Sequence, residues 1–277
     1  MQIGKIQTLQ INRLTQHGAY LKSNDDDEEI LLPNKFLSST LDIGDFIEVF
    51  LYTDSEDRPV ATTQKPFAIL GQICPLKVVS IQDNGCFLDM GIDKHIFMPT
   101  KNPKRFKLNE NIVIKINTDK QNRLIARLGF KESLLPFKGN GKHLKVNILP
   151  FEKTPLGIGC VVNEKYYGLL YHNQIFSPIQ LGEYQNAYIT NIRADGKLDL
   201  CIKSPQHLSE EKHQLLELIK DKKILELDFN SSPEIIQKIC RMSKKSFKTI
   251  INTLVKESKI KILDNPKQVG KKIIQIA

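Results

Sequence analysis

The sequence predicts a mainly β protein with an α+β C-terminus, built as three small five-stranded barrels in tandem and a final helical unit. Three observations support this prediction. A weak repeat covers residues 1–206, and its turn glycines Gly18, Gly85 and Gly157 are 67 and 72 residues apart. Each copy ends in a polar turn and two short apolar strands, which is typical of one β-module used three times. After residue 204 the apolar pattern changes from alternation to helical periodicity.

The second copy shows the strand pattern most clearly. Its opening strand is broken at Pro75, which cannot donate to a sheet hydrogen bond. A turn at Gly85 leads into a predicted hairpin over residues 86–99. A basic connection over residues 100–107 precedes the last two strands. Five short strands with one wide connection between the third and the fourth predict a small Greek-key barrel.

The repeat divides the chain into four predicted units of different charge. An acidic, divergent barrel at 1–66 has a net charge of −5, a basic barrel at 67–138 has +6, and a third barrel at 139–206 has +2. The C-terminal unit at 207–277 has +6. The first unit is acidic, whereas the second unit and the C-terminal unit are basic. This distribution favours an anionic partner that the first unit does not bind directly. In the first unit, the acidic run at 25–29 is predicted to be a solvated loop.

The C-terminal unit has the pattern of a winged helix. Ser209 and two following glutamates predict the start of a first helix, because serine caps a helix and acids stabilise its first turn. Pro233 opens a second helix. A third helix starts near Ser243, with a stripe of apolar residues from Phe247 to Val255. Residues 259–276 then form a predicted β-hairpin, which is the wing.

Short motifs in the repeats resemble the S1 motif, an oligonucleotide-binding (OB) barrel. The motifs are HGAY at 17–20, NGCF at 84–87 and GLLYHN at 168–173. The chain departs from the family pattern at two motif positions. Asn84 and Leu156 replace the first aromatic residue in the second and third copies. The position of the family's histidine is occupied by Leu32, Met98 and Tyr171 in the first, second and third copies.

The order of three S1-like repeats and a winged helix is similar to that of the conserved virulence factor B family of bacterial RNA-binding proteins. SPE at 232–234 and MSKKSF at 242–247 resemble the C-terminal signature of that family. The resemblance implies RNA binding, a role in post-transcriptional control of gene expression, and no catalytic activity. It also implies that the first repeat is the least S1-like.

Aromatic and basic residues of these units are candidates for nucleic-acid contacts, since exposed bases stack on aromatic rings while Lys and Arg bind phosphates. In the second barrel the candidates are Phe87 and Phe97 for stacking and, for charge, Lys94, Lys101, Lys104, Arg105, Lys107 and Arg127. In the third barrel they are Tyr166, Tyr167, Tyr171 and His172. On the third helix they are Lys244, Lys245, Lys248 and Asn252. Strand alternation allows Phe87 and Phe97 to face outward but does not establish it, because barrels also need interior aromatics.

Catalytic and membrane functions find little support in the sequence. The six histidines have no metal-ligand spacing, no phosphate-binding glycine loop is present, and no cofactor is expected. The five cysteines lie far apart without a C-x-x-C pair, which is typical of buried thiols in a reducing compartment. No signal peptide or apolar run of about 20 residues is visible. We therefore expect a cytoplasmic protein that is not an enzyme.

The sequence leaves three functions open. In the first, single-stranded RNA, such as mRNA, binds along the second and third barrels with help from the winged helix. In the second, the third helix binds duplex DNA and the protein regulates transcription. In the third, the chain is a non-catalytic adaptor on the ribosome or an RNA-processing complex. The oligomeric state is not predicted.

Overall fold

The computed structural model describes residues 1–23, 26–172, 175, 178–202, 205–266 and 272–277, without the side chains of 26, 27 and 205–208. Within these residues the chain forms three closed five-stranded barrels and a C-terminal unit of three helices and a three-stranded sheet. The predicted fold class is confirmed. Asp25 of the acidic run and Asn173 of the third S1-like motif lie outside the described residues.

The first barrel contains five strands, β1 (Ile6–Thr15), β2 (Gly18–Ser23), β3 (Asp26–Pro33), β4 (Phe46–Thr53) and β5 (Pro59–Thr62). Their order around the barrel is β1-β2-β3-β5-β4, so the third strand pairs with the fifth in parallel. Residues 26–29 of the acidic run belong to β3. The prediction of a solvated loop there is wrong, because pairing with β2 extends the strand through them.

The second and third barrels repeat this topology. The second contains β6 (Ile73–Gln82), β7 (Gly85–Leu88), β8 (Ile96–Pro99), β9 (Asn111–Thr118) and β10 (Leu124–Arg127). The third contains β11 (Lys145–Thr154), β12 (Gly157–Val162), β13 (Tyr166–Tyr171), β14 (Gln185–Ile192) and β15 (Leu198–Cys201). In both, the third strand again pairs with the fifth in parallel.

The repeated glycines allow the second strand of each barrel to lie against the third. A Cβ atom would lie 2.0 Å from the Leu32 carbonyl oxygen if added at Gly18, and 2.3 Å from the Met98 oxygen if added at Gly85. At Gly157 it would lie 2.1 Å from the oxygen of the third strand's Leu170. Only glycine fits at such a distance, which explains the period seen in the sequence.

The register of the strands changes one detail of the S1-like alignment. Gly18 pairs with Pro33, Gly85 with Pro99 and Gly157 with Tyr171. Tyr171 is therefore equivalent to the two prolines. Leu32 and Met98, which the motif comparison aligned with Tyr171, are fully buried inside their barrels. That alignment was wrong by one residue, and a shift of one residue exchanges the inner and outer faces of a strand.

The barrels pack directly against their neighbours. Phe50 and Tyr52 of the first barrel share an apolar cluster with Met90 and Ile92 of the second. A second cluster joins the second barrel to the third through buried side chains on both, Ile73, Val113, Phe130, Leu149 and Val161. Burial of apolar surface at both junctions holds the three barrels together.

The C-terminal unit has the element order of a winged helix, α1 (Pro205–Lys222), β16 (Ile224–Leu225), α2 (Pro233–Cys240), α3 (Lys244–Lys256), β17 (Ile260–Asp264) and β18 (Lys272–Ile276). The Ser232 and Ser243 side chains cap α2 and α3. Helix α1 begins at Pro205, four residues before the predicted start, since proline fits the first turn of a helix. Val255, expected in the apolar stripe, is 40% exposed. No described helix is long and apolar enough to cross a membrane.

All five cysteines are buried, and we expect them to be unreactive in the native protein. Burial raises the pKa of the Cys74 and Cys160 thiols to about 12 and that of Cys240 to about 11. Because the thiolate is the reactive form, a thiol-specific reagent at about pH 8 should label the native chain slowly and label all five cysteines in urea. Mass spectrometry of the labelled chain tests this. A cysteine that reacts rapidly in the native protein would contradict it.

Candidate nucleic-acid interface

Two phenylalanines form an aromatic pair on the outer face of the second barrel. Phe87 on β7 pairs across the sheet with Phe97 on β8, with ring centroids 5.2 Å apart and ring planes inclined by 50°. Both rings are partly exposed, whereas the adjacent Cys86 and Met98 are fully buried. The ring of Phe97 lies over Gly85, where an added Cβ would come within 2.7 Å of it. We call Phe87 and Phe97 the platform.

The platform lies in a groove of about 530 Å³. Its polar lining includes the exposed Gln82 and Asn84 before β7 and two arginines, Arg123 and Arg127, beside β10. A groove that combines aromatic faces with guanidinium groups can stack bases and bind phosphates at once. Phe87, Phe97 and Arg127 are therefore brought together as candidates, and Lys94 lies in the same groove.

Loop residues of the first barrel form one rim of this groove. Lys94 Nζ donates to the Asp54 carbonyl oxygen at 2.6 Å, and burial lowers the pKa of this lysine. Its ammonium group is thus anchored to the first barrel while Lys94 lines the groove, and its role as a phosphate contact stays a prediction. Arg123 Nη1 lies 3.1 Å from Asp57 Oδ2, and Arg123 Nη2 lies 2.8 Å from Asp119 Oδ2. The hydrogen bonds to these carboxylates raise the pKa of Arg123.

In the first barrel, the aromatic ring at the position equivalent to Phe87 is covered by a neighbouring side chain. Tyr20 is equivalent to Phe87, and Arg13 stands opposite it on β1, as Ser80 stands opposite Phe87 on β6. The guanidinium carbon of Arg13 lies 3.7 Å from the centroid of the Tyr20 ring. Glu29 binds this guanidinium at 2.7 Å and holds it over the ring. Serine is too small to cover Phe87 in this way.

The third barrel has no aromatic at this position. Gly159 is equivalent to Phe87, and Glu152 stands opposite it on β11. A Cβ at Gly159 would lie 2.5 Å from Glu152 Cγ, so the glutamate fills the space of the missing side chain. Leu169, equivalent to Phe97, is only 4% exposed. The platform of the second barrel is the open aromatic pair among these three equivalent positions.

Tyr166 and Tyr167 of the third barrel are occupied by packing contacts. Tyr167 is 9% exposed, its hydroxyl donates to Glu152 Oε1 at 3.1 Å, and Lys131 Nζ lies 4.5 Å from its ring centroid. The prediction that Tyr167 stacks on a base is corrected, because the ring has no free face for it. Tyr166 is partly buried and packs edge-on against Phe137, with centroids 5.1 Å apart.

Tyr171 and His172 lie at the end of β13, where both are accessible in part. Arg193 Nη2 donates to the Tyr171 hydroxyl at 2.9 Å, and its guanidinium carbon lies 5.8 Å from the ring centroid. His172 is exposed, with Nε2 at 3.3 Å from the Thr154 carbonyl oxygen. Arg193 also pairs with Asp199 at 2.7 Å, so these residues form a smaller and mainly aromatic surface on the third barrel.

The basic connection of the second barrel is exposed but does not line the platform groove. The residues concerned are Lys101, Lys104, Arg105 and Lys107. The Arg105 guanidinium carbon lies 4.5 Å from the ring centroid of Phe106. Arg105 instead lines a second cleft, between the second and third barrels.

Helix α3 of the winged helix presents its polar side away from the core. Lys245, Lys248 and Asn252 are exposed, and Lys244 is partly exposed with Nζ at 3.5 Å from the Asn230 carbonyl oxygen. Phe247 and other residues of the apolar stripe are buried. The predicted separation of the basic face from the core is therefore present.

Sequence reasoning missed Arg123, Arg193 and the part played by the first barrel. Arg123 could have been found, because each of the first two copies has an arginine four residues after an aspartate at the last hairpin, Asp54 with Arg58 and Asp119 with Arg123. Arg193 has no such signal. No cluster of three or more His, Cys, Asp or Glu side chains that could hold a metal ion is found in the part of the chain that the structure describes.

Comparison with known proteins identifies two domains. Residues 3–64 match the S1 domain family, and residues 213–267 match the CvfB-like winged helix domain family. The S1 match falls on the first barrel, the copy expected to be the least S1-like.

Proteins similar to this chain over most of their length are known in bacteria. The chain is 20% identical over 273 residues to "Uncharacterized protein YitL" of Bacillus subtilis, and 22% identical over 277 residues to "Conserved virulence factor B" of Staphylococcus aureus. Each match covers 94% of this chain and 91% of the relative. A Streptococcus pneumoniae structure described as a multidomain protein with nucleic acid binding domains has a TM-score of 0.47 and 20% identity, covering 99% of this chain and 98% of that one. The predicted resemblance to conserved virulence factor B is confirmed. The S1 domain and the winged-helix domain of this chain support nucleic-acid binding.

Proposed function

We propose that this chain, an S1-domain protein related to conserved virulence factor B, binds single-stranded RNA in post-transcriptional control of gene expression. It acts in the cytoplasm, on mRNA, and without catalysis of its own. The observation that carries the proposal is the open platform of Phe87 and Phe97 in a groove with Arg123 and Arg127. Equivalent positions in the other two barrels are covered or lack the aromatic ring.

Unpaired bases are the ligand that this groove fits best. A base in a duplex has both faces stacked, whereas a single strand can place a base on an aromatic ring at a gain of about 1–3 kcal/mol. Arg127 is exposed and can follow the phosphates beside the stacked bases. Arg123 is held by Asp119 and Asp57, so its guanidinium reaches the groove in one fixed orientation.

Two further surfaces extend the contact with the strand. Tyr171, Arg193 and His172 offer a ring, a guanidinium and an imidazole on the third barrel. The exposed face of α3 adds Lys245 and Lys248. Both surfaces are smaller or less aromatic than the platform, and we assign to them phosphate binding and support.

The choice of RNA over single-stranded DNA rests on the resemblance to a family of RNA-binding proteins. One observation favours a second candidate: the basic face of α3 is the surface by which a winged helix can enter a DNA groove. In that case the protein is a DNA-binding transcriptional regulator. An adaptor on the ribosome or an RNA-processing complex is the third possibility.

Fluorescence anisotropy with labelled single-stranded RNA, single-stranded DNA and duplex DNA of matched length distinguishes these functions. We expect the tightest binding to RNA and an affinity that falls with salt, as phosphate contacts require. Tighter binding to duplex DNA would overturn the proposal in favour of the regulator. Equal and weak binding to all three would favour the adaptor.

A double charge reversal on α3, Lys245→Glu with Lys248→Glu, is expected to weaken RNA binding by about tenfold, because the electrostatic part of the affinity is lost. Lys222→Glu with Lys223→Glu, at and just after the end of α1, makes the same change in net charge and is the control. Anisotropy with RNA measures both. An equal loss in the two variants would mean that only the net charge matters and that α3 makes no specific contact.

A further inference from the structure

A second groove separates the second barrel from the third. It has a volume of about 600 Å³ and opens between the start of β9 and the end of β11. The second barrel contributes Arg105, Phe106 and residues 128–131, and the third contributes residues 151–153. We call it the interbarrel cleft. No pattern within one repeat predicts this cleft, because its walls come from two repeats.

The base of the cleft is built from packed aromatic and ionic contacts. Phe130 and Phe151 lie against each other across the junction, with ring centroids 5.0 Å apart. Lys131 Nζ lies 2.5 Å from Glu152 Oε1, which also accepts from the Tyr167 hydroxyl. These contacts hold the two barrels at one separation, so the cleft is formed before any ligand arrives.

Two cations at the cleft remain available to a ligand. Arg105 and Lys153 are exposed, and neither forms an ion pair with any residue that the structure describes. The Arg105 guanidinium lies over the Phe106 ring, which fixes it near the surface. Of the two acids in the lining, Glu152 is neutralised by Lys131, and Glu110 accepts from the backbone N–H of Lys107 at 2.9 Å.

The cleft lies between the two surfaces to which RNA binding is assigned. Arg127 lines the platform groove, and the next residue, Leu128, lines the cleft. At the other end, Lys153 lines the cleft, and the carbonyl oxygen of the next residue, Thr154, contacts His172. Consecutive residues thus connect the cleft to the platform groove at one end and to the contact with His172 at the other.

We propose that the interbarrel cleft is a phosphate-binding subsite that carries a single RNA strand from the platform to the Tyr171 and His172 surface. Arg105 and Lys153 bind the phosphates of this connecting segment. The inference rests on the proposed function, since it requires that the platform binds the strand. It adds that the second and third barrels bind one continuous strand and not two separate ones.

The test compares RNA of two lengths, one of about five nucleotides that covers the platform alone and one of about fifteen that also spans the cleft. For Arg105→Gln with Lys153→Gln, we expect about a tenfold loss of affinity for the long RNA and no change for the short one. The slope of log K against log salt for the long RNA is negative, and its magnitude should decrease by about 1.4 in this variant. That is the value for two phosphate contacts on a single strand. Both residues are exposed, so the thermal unfolding midpoint should not change.

The control variant, Lys22→Gln with Lys65→Gln, removes the same charge outside both grooves and should leave both affinities unchanged. Unchanged binding of the long RNA to the cleft variant, with weaker binding to Phe87→Ala, would overturn the cleft subsite alone. An equal loss for both lengths in the cleft variant would also overturn it. Unchanged binding of both lengths to Phe87→Ala would overturn the proposed function itself.

Discussion

Phe87→Ala is expected to reduce the affinity for single-stranded RNA by about 5- to 150-fold, because a stacked base loses about 1–3 kcal/mol with the ring. Phe97→Ala should have a similar effect. The two losses should not add, since the rings lie 5.2 Å apart and one supports the other. Fluorescence anisotropy measures the affinities, and circular dichroism checks that each variant is folded.

Tyr20→Ala is the matched control for these variants. Tyr20 occupies the position in the first barrel that Phe87 occupies in the second, but Arg13 covers its ring. Removal of this ring should therefore leave RNA affinity unchanged. A loss equal to that of Phe87→Ala would show that the covered and open positions do not differ in binding, and the platform would lose its special role.

Gly157→Ala is expected to destabilise the third barrel by about 3 kcal/mol or more, which is the upper part of the range for overpacking. The added Cβ would lie 2.1 Å from the Leu170 carbonyl oxygen and 2.8 Å from Tyr171 Cα, both on the adjacent strand. Backbone atoms cannot move aside as a flexible side chain can, so β12 and β13 must separate. Urea unfolding, followed by hydrogen exchange of the third barrel, measures the loss.

Gly44→Ala separates this steric effect from backbone strain. Gly44 has a φ of +97°, and no atom lies within 4 Å of the position of an added Cβ. Its replacement should cost only about 1 kcal/mol, from the unfavourable φ. If both variants lost the same stability, close strand approach at Gly157 would not be the reason for glycine there.

The sequence was sufficient for those parts of the fold that depend on local pattern. The spacing of Gly18, Gly85 and Gly157 predicted three copies of one module, and the register shows that each glycine admits a neighbouring strand. The starts of α2 at Pro233 and of α3 near Ser243 were also predicted from the sequence. Phe87 was also proposed from its motif position, whereas no motif pointed to Phe97.

The sequence could not show which candidates are free to bind. Lys94 and Tyr167 match the expected residue types. However, Lys94 donates a hydrogen bond to the Asp54 carbonyl oxygen of the first barrel, and the ammonium group of Lys131 lies over the Tyr167 ring. Both partners are far away in the chain, and no periodic pattern connects them to the site. For the same reason, the sequence could not predict that Arg105 and Lys153 line the same cleft.

The sequence alone determined the number of modules, their strand order and the position of the winged helix, because these depend on periodicity, turn residues and caps within short segments. Only the tertiary structure decided which aromatic surface is open. The residue opposite the platform position is Arg13 in one barrel, Ser80 in the next and Glu152 in the third. Access to a ring depends on the size and charge of that cross-strand neighbour, which lies next to it in the folded sheet and seven residues away in the chain.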